Sequence, residues 1–174
     1  NNIYTIYNFA AVISIAKLYN LNAIDALKDF KLNNGRSEEI DINGVKTIIN
    51  LAKNPTGANV SLRMLNEDKE EKELLFVLND NPADGLDVSW IYDINFETVN
   101  VKRIITSGKR AYDMAIRIKT SFFDKDNIEA YLSIEEAVKS LYSSDVKKYV
   151  IANYTALQPT RKALLEYKKE TKKE

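Results

Sequence analysis

Three polar strings hold the residues best suited to chemistry. The first is Lys53-Asn54-Pro55-Thr56-Gly57, and the third is Ser107-Gly108-Lys109-Arg110-Ala111-Tyr112-Asp113. The second, Asn79 to Asp93, is the richest: it carries Asp80, Asp84, Asp87, Asp93 and the only tryptophan, Trp90. Carboxylates gathered in one loop can orient a base or ligate magnesium. They can equally serve as turn residues that satisfy local backbone donors. Asp84-Gly85 is a turn dipeptide in its own right, whereas Asp87 precedes the β-branched Val88 and has less of a turn excuse. Lys53 offers a point charge to a phosphate or carboxylate, or is simply a solvated cation. Gly108 and Arg110 open a predicted helix, where anions bind readily. Arg110, Asp113 and Arg117 are spaced for an ordinary salt-bridge ladder on one helical face. By loop position Lys53, Asn54, Asn81 and Arg110 are the candidates for the vicinity of a substrate or nucleotide.

Composition limits what these residues can do unaided. The 174 residues include 25 Lys+Arg, 25 Asp+Glu, no Cys and no His. A Cys/His zinc site, a Cys–His or Ser–His nucleophile pair and a disulfide framework are therefore beyond this chain. The balanced charge argues against nucleic acid as a partner. No Gly-x-x-x-x-Gly-Lys-Ser/Thr or Gly-x-Gly-x-x-Gly string occurs, so no cofactor is expected in this chain alone and any ATP would be cradled elsewhere. The ten tyrosines scatter without a stacking pattern. The apolar stretch Phe9 to Ala16 is far too short to span a membrane. A cytoplasmic protein without a transmembrane segment is expected, and the start at Asn1 rather than Met suggests a fragment.

The elements that must position the three strings follow from periodicity. Ile6 to Tyr19 is apolar almost all round, which predicts a buried helix. Asn22 can cap a second helix running to about Phe30, and Lys31 to Arg36 reads as a domain boundary. Asn43-Gly44 between two strand-like runs, Glu38 to Ile42 and Val45 to Leu51, predicts a hairpin. Strands are then expected at Leu74–Leu78, Arg103–Thr106, Glu129–Leu132 and Tyr149–Ala152. Helices are expected at Ala58–Asn66, Arg110–Phe122, Ser133–Tyr142 (with a Ser133/Glu136 capping box) and from about Asn153 to Tyr167. Lys168 to Glu174 reads as a charged, frayed tail. The alternation implies an α/β layer fold with a mostly parallel sheet and flanking helices, in which sites gather at the carboxyl ends of strands.

Four strings taken together resemble a known family. Leu51-Ala52-Lys53-Asn54-Pro55-Thr56-Gly57, Asp84-Gly85-Leu86-Asp87-Val88-Ser89-Trp90-Ile91-Tyr92-Asp93, Ser107 to Arg117 and Asn153-Tyr154-Thr155-Ala156-Leu157 are similar to the C-terminal domain of the MurT family. Its members are Mur-ligase-like subunits of bacterial lipid II isoglutaminyl synthases. Tyr4 to Ala11 resembles the last helix of a Mur-ligase central domain, and Gly35-Arg36-Ser37-Glu38 the start of the C-terminal domain. The resemblance implies a Rossmann-type Mur-ligase C-terminal fold over 33–167, a remnant of the central domain over 1–32, and a tail over 168–174.

It also implies an activity. The family uses ATP to activate the α-carboxylate of D-glutamate in lipid II, and ammonia from a GatD-like glutamine amidotransferase subunit converts it to D-isoglutamine. The partner brings Cys and His, and an Asp of the MurT-like C-terminal domain completes the triad. By motif match that Asp is Asp87, with Asp84 second; Trp90 and Asp93 become candidates for the partner interface, with Trp90 in the core as the bland alternative. ATP, magnesium and a Cys-rich zinc ribbon belong mainly to domains outside this chain, which alone is expected to be inactive. Work at the inner face of the membrane follows from the lipid II substrate. Tyr92 stands where the family usually has Trp, and Thr56 where it usually has Ala or Val. Asn50-Leu51-Ala52-Lys53 replaces the Asp-Tyr-Ala-His of amino-acid-adding ligases. A non-catalytic docking module and an amino-acid-adding ligase domain remain alternatives at this point.

Overall fold

The structure is a computed structural model that describes residues 3–28, 30, 35–121 and 125–171. The chain divides into two compact units, 1–32 and 33–174. The first holds helices α1 (Ile3–Leu18) and α2 (Ala23–Lys28). Asn22 caps α2, its Oδ1 accepting from the Ile24 N–H at 3.2 Å, and Phe9 meets Phe30 edge-on with ring centroids 5.5 Å apart. The expectation of a buried first helix is not met. Ile6, Tyr7, Val12, Ile15 and Leu18 are exposed, and Ala16 is its one buried side chain among the described residues. The physical reason is that an apolar helix needs a partner surface, and six-residue α2 cannot cover it. The expected extension of α2 toward Phe30 stops at Lys28, and most of the proposed boundary, residues 31–34, lies outside the described residues.

In the second unit a six-stranded sheet has the order β1-β2-β6-β3-β4-β5, built from β1 (Arg36–Ile42), β2 (Val45–Leu51), β3 (Lys72–Val77), β4 (Ile104–Ser107), β5 (Ile128–Tyr131) and β6 (Lys147–Ala152). β1 and β2 form an antiparallel hairpin, and every other neighbouring pair is parallel. The hairpin turn places Asn43 at φ 54° and Gly44 at φ 86°, the left-handed pair that a tight two-residue turn demands. Helices α3 (Pro55–Glu67), α4 (Ala111–Lys119), α5 (Ile134–Leu141) and α6 (Tyr154–Glu170) complete the fold.

Strand alternation sends apolar residues to both faces. Leu74, Phe76, Tyr149 and Ile151 pack with α3, α4 and the long segment between β3 and β4; Leu75, Val77, Val150 and Ala152 pack with α5 and α6. A sheet covered on both sides in this way is what makes its central strands read as continuous apolar runs. Helix α3 starts three residues earlier than periodicity suggests. Pro55 occupies its first turn, where no N–H is needed, and the Asn54 side chain accepts from the Gly57 N–H at 2.8 Å. The Ser133 cap on α5 forms, its hydroxyl accepting from the Glu136 N–H at 3.2 Å. Helix α6 runs on through Glu170, past the expected start of the tail, with the Lys168 ammonium donating to the Asp41 carbonyl. The predicted end of α4 near Phe122 lies outside the described residues; the helix closes at Lys119.

The amino ends of the parallel strands carry charge. Glu73 of β3 accepts from Lys148 of β6 (2.8 Å) and from Arg103 (3.0 Å), and Arg103 reaches Glu129 of β5 (2.7 Å). Asp68, just past α3, accepts from Lys147 (2.5 Å) and from the Tyr149 hydroxyl (2.7 Å). Burial of Asp68 opposes its charge, but bonds from Lys147, the Glu70 N–H and Tyr149 outweigh it and bring the carboxyl down to about 2. Glu73 is also lowered: burial resists, while Arg103 and Lys148 prevail. A carboxyl depressed by folding adds stability above its unfolded pKa and loses it as pH falls through the folded value. The melting temperature is therefore expected to hold from neutral pH to about 4 and then decline toward pH 2. Asp68→Asn should lower it at neutral pH and make the acid decline shallower. An acid decline as steep in the variant as in the parent would show that Asp68 is not held in its charged form by the fold.

Candidate functional site

Parallel pairing brings the carboxyl ends of β2, β6, β3, β4 and β5 to one edge of the sheet. A web of hydrogen bonds joins three of the loops that leave there. Asn153, after β6, donates from Nδ2 to the Asn79 carbonyl (2.7 Å) and accepts from the Asn79 N–H (3.1 Å). The Asn79 side-chain oxygen accepts from the Lys109 N–H at 3.0 Å, which ties in the loop after β4. Gly108 makes that approach feasible. Its φ is +90°, and a Cβ there would stand 2.6 Å from the Leu78 carbonyl oxygen and 2.8 Å from Asn79 Oδ1.

Asp84 stands at the centre of the web. A turn opened by Pro82 brings the Asp84 N–H to the Asn81 carbonyl at 2.8 Å. Both carboxylate oxygens then go to the first turn of α6: Oδ1 accepts from the Thr155 N–H at 2.8 Å, and Oδ2 accepts from the Thr155 hydroxyl. The same hydroxyl oxygen accepts from Asn81 Nδ2 (2.7 Å), and Asn81 Oδ1 accepts from the Lys109 ammonium (2.6 Å). A carboxylate at a helix amino end is favourably placed against the helix dipole.

Asp87 is different. Its side chain is exposed and its bonding is local, Oδ1 accepting from the Ser89 N–H at 2.8 Å. Hydrogen bonds from the Ser89 backbone and then its hydroxyl lower the carboxyl below its ordinary value, so it is anionic at neutral pH. Leu86 and Tyr92 beside it are exposed, whereas Val88, Ile91 and Ile94 are buried in the core. Trp90, half-buried, packs on that same core from the 3-10 turn Ser89–Asp93. Asp93 has an exposed side chain, and its carbonyl accepts from Asn59 Nδ2 at 3.1 Å.

The other sequence-selected residues separate. Asn54 is occupied as the cap of α3, Lys53 is exposed without a described partner, and no described hydrogen bond joins either to the web. Arg110 pairs with Asp113 (2.9 Å) and lies 3.6 Å from Asp80, so its guanidinium is already held by two carboxylates. The ladder expected from Arg110, Asp113 and Arg117 is incomplete. Arg117 turns inward, donates to the Ile94 carbonyl (2.6 Å) and Glu97 (2.8 Å), and lies over the Phe96 ring. Ile94 follows the 3-10 turn, and its carbonyl, which also accepts from the Phe96 N–H at 3.0 Å, faces α4 and draws the guanidinium inward. Sequence reasoning also passed over Asn59, Asn66, Asn79 and Thr155. Asparagines at 59 and 66, residues of modest helix propensity repeated two turns apart in one helix, were the available signal.

Among the described residues no three acidic side chains come together in a way that could hold a metal ion. With no Cys or His in the chain, a zinc donor set is absent as well. No helix among those residues is long and apolar enough to cross a membrane.

Residues 51–157 match the MurT ligase C-terminal family. The chain belongs to that family. It is 33% identical over 163 residues to the MurT subunit of lipid II isoglutaminyl synthase (glutamine-hydrolyzing) from Staphylococcus aureus strain COL, covering 88% of this chain and 36% of that one. The subunit of the same name from Streptococcus pneumoniae strain R6 is 30% identical over 169 residues, 93% of this chain and 38% of its own. The chain thus spans little more than a third of the curated relatives it matches. The MurT-like domain shares its fold with UDP-N-acetylmuramate-alanine ligase MurC of Thermotoga maritima, with a TM-score of 0.73 and 12% identity over 98% of this chain and 39% of that one. MurF of Acinetobacter baumannii gives 0.68 and 12% over 97% and 38%. The expected mostly parallel, Mur-ligase-like α/β fold is the one observed.

The two loop carboxylates should separate in a stability measurement. Asp84→Ala strands the Thr155 donors and is expected to cost about 1–3 kcal/mol in denaturant unfolding. Asp87→Ala, at an exposed site, should leave the unfolding midpoint close to that of the parent. Equal losses would show that Asp84 does not anchor its loop.

Proposed function

We propose that this chain is the C-terminal part of a ligase subunit that amidates the D-glutamate α-carboxylate of lipid II, and that Asp87 supplies the acid of a Cys-His-Asp triad to a GatD-like glutaminase subunit. The observation that carries this reading is the contrast between the two carboxylates. Asp84 is consumed by the first turn of α6; Asp87 stands exposed and ionised on a segment whose apolar residues are rooted in the core. A triad carboxylate must be anionic, reachable by the imidazole it orients, and rigidly held. It stabilises the cationic histidine and does not itself take the proton. A chain without Cys or His can take part in such chemistry only by donating the acid across an interface. Exposed Leu86 and Tyr92, with Trp90 behind them, supply the apolar surface that would exclude water around the shared site. Asp93 borders that surface.

The names of the relatives support the amidating branch, and Asn50-Leu51-Ala52-Lys53 in place of the Asp-Tyr-Ala-His of amino-acid-adding ligases fits it. ATP and magnesium serve carboxylate activation and are held mainly by other domains of the complete protein, as is the zinc ribbon. The 1–32 unit is the end of the central domain, which accounts for the exposed apolar side chains of α1. Lys53 and Asn81 lie on loops at the sheet edge facing the substrate, while Asn54 and Arg110 act through the backbone and carboxylates they hold. The complete enzyme works in the cytoplasm at the inner membrane face, where lipid II presents its peptide.

The test is reconstitution of the complete protein with its glutaminase subunit. Asp87→Asn should lower glutamine hydrolysis on the order of 1,000-fold or more, while amidation driven by added ammonium salts persists. Glutamine-dependent amidation near the parent rate in Asp87→Asn would remove Asp87 from the triad.

A further inference from the structure

The segment 78–103 between β3 and β4 contains no strand and no α-helix, an uncommon length of irregular chain for a small domain. Its amino end is tied down by Asp84. Its carboxyl half is held by two side chains of α3 that repeat one arrangement. Asn59 donates from Nδ2 to the Asp93 carbonyl (3.1 Å) and accepts on Oδ1 from the Asn95 N–H (2.8 Å). Asn66 donates to the Thr98 carbonyl (2.9 Å) and accepts from the Asn100 N–H (3.0 Å). Each amide thus pairs with the carbonyl of one residue and the N–H of the residue two further on, as a neighbouring strand would. Seven residues apart on α3, the two clamps stand roughly 10 Å from each other along the helix. Phe96, fully buried, lies between the chain positions they grip.

We propose that Asn59 and Asn66 are positioning residues that set the height and register of the 85–92 segment and so the presentation of Asp87 to the partner subunit. The proposal rests on the reading of Asp87 given above. Asp84 and the Asn59 clamp bound the segment whose side chains Leu86, Asp87 and Tyr92 are exposed. The apolar anchors Val88 and Ile91 fix its depth but not its slide along α3, because apolar contact is non-directional. Paired amide bonds supply the missing direction, since each fails when the backbone moves by one residue.

The test uses the complete protein with its glutaminase subunit. Asn59→Asp and Asn66→Asp keep the accepting oxygen and place a second oxygen against a backbone carbonyl. Amide hydrogen exchange should quicken across 88–100 while protection in β3 and β6 stays at the parent level. The kcat of glutamine hydrolysis should fall on the order of 10-fold to 100-fold, the effect of displacing a reacting group by about an ångström, with KM for glutamine unchanged. Asn59→Gln, which retains donor and acceptor, should lose less than Asn59→Asp, and it carries the test if the Asp variants lose protection throughout. Unchanged exchange, or faster exchange with a parent kcat, would overturn the proposal and leave Asp87 in place. Full activity in Asp87→Asn would instead overturn the reading beneath it.

Discussion

The Asp84 carboxylate bonded to the first turn of α6 is the interaction on which the rest of the candidate site depends. It joins the loop after β3 to the helix after β6 across adjacent parallel strands. Through Thr155, Asn81 and Lys109 the same web reaches the loop after β4. Exposed loops lose conformational entropy when ordered, so a loop with a fixed shape at a sheet edge needs directional bonds to hold it. Here the loop tip can remain solvent-facing because its base is bonded to a helix terminus. Gly108 belongs to the same arrangement, since only a residue without Cβ lets the β4 loop approach the Leu78 carbonyl so closely.

The opposite end of the sheet uses charge for a different purpose. Lys148 and Glu73 are both buried and face each other on neighbouring strands, with Arg103 and Glu129 extending the pair to β4 and β5. A buried pair returns little net stability against its desolvation, but removing one partner is costly. Such a network discriminates against slipped strand registers, which would leave a charge unpaired in the interior. The carboxyl edge is left to carry the exposed carboxylate, and the amino edge holds the register that places it. The two edges are joined by an apolar interior packed on both faces of the sheet.

The long segment between β3 and β4 combines the two means of control. Its buried residues, Val88, Ile91, Ile94 and Phe96, interdigitate with α3 and α4, and its backbone is held by side chains from the same helices: Asn59 and Asn66 of α3, and Arg117 of α4 through the Ile94 carbonyl. Backbone groups outside regular structure need directional partners to fix their path, and here polar side chains of the helices supply them. Arg117, expected at the surface, is buried where its guanidinium meets the Ile94 carbonyl, Glu97 and the Phe96 ring.

Strand and helix order, the Asn43-Gly44 turn and the two-sided sheet follow from local rules: period-two and helical patterning, turn dipeptides and caps. Those rules act over a few residues, so the sequence alone determined the α/β layer fold and the three loops in which to look. It could not tell that α1 is exposed, because burial depends on a partner surface and not on the helix's own composition. Turn chemistry and motif match set Asp87 ahead of Asp84, but the sequence did not say which of the two carboxylates the fold consumes. That distinction was decided by Thr155, 71 positions from Asp84 in the chain, which only the pairing of β3 with β6 brings within reach. The same holds for Asn59 and Asn66: their spacing is visible in the sequence, but the carbonyls and N–H groups they meet belong to a segment whose path is set by packing. Local patterning fixes which groups a chain offers; long-range pairing decides which are consumed and which, like Asp87, are left open.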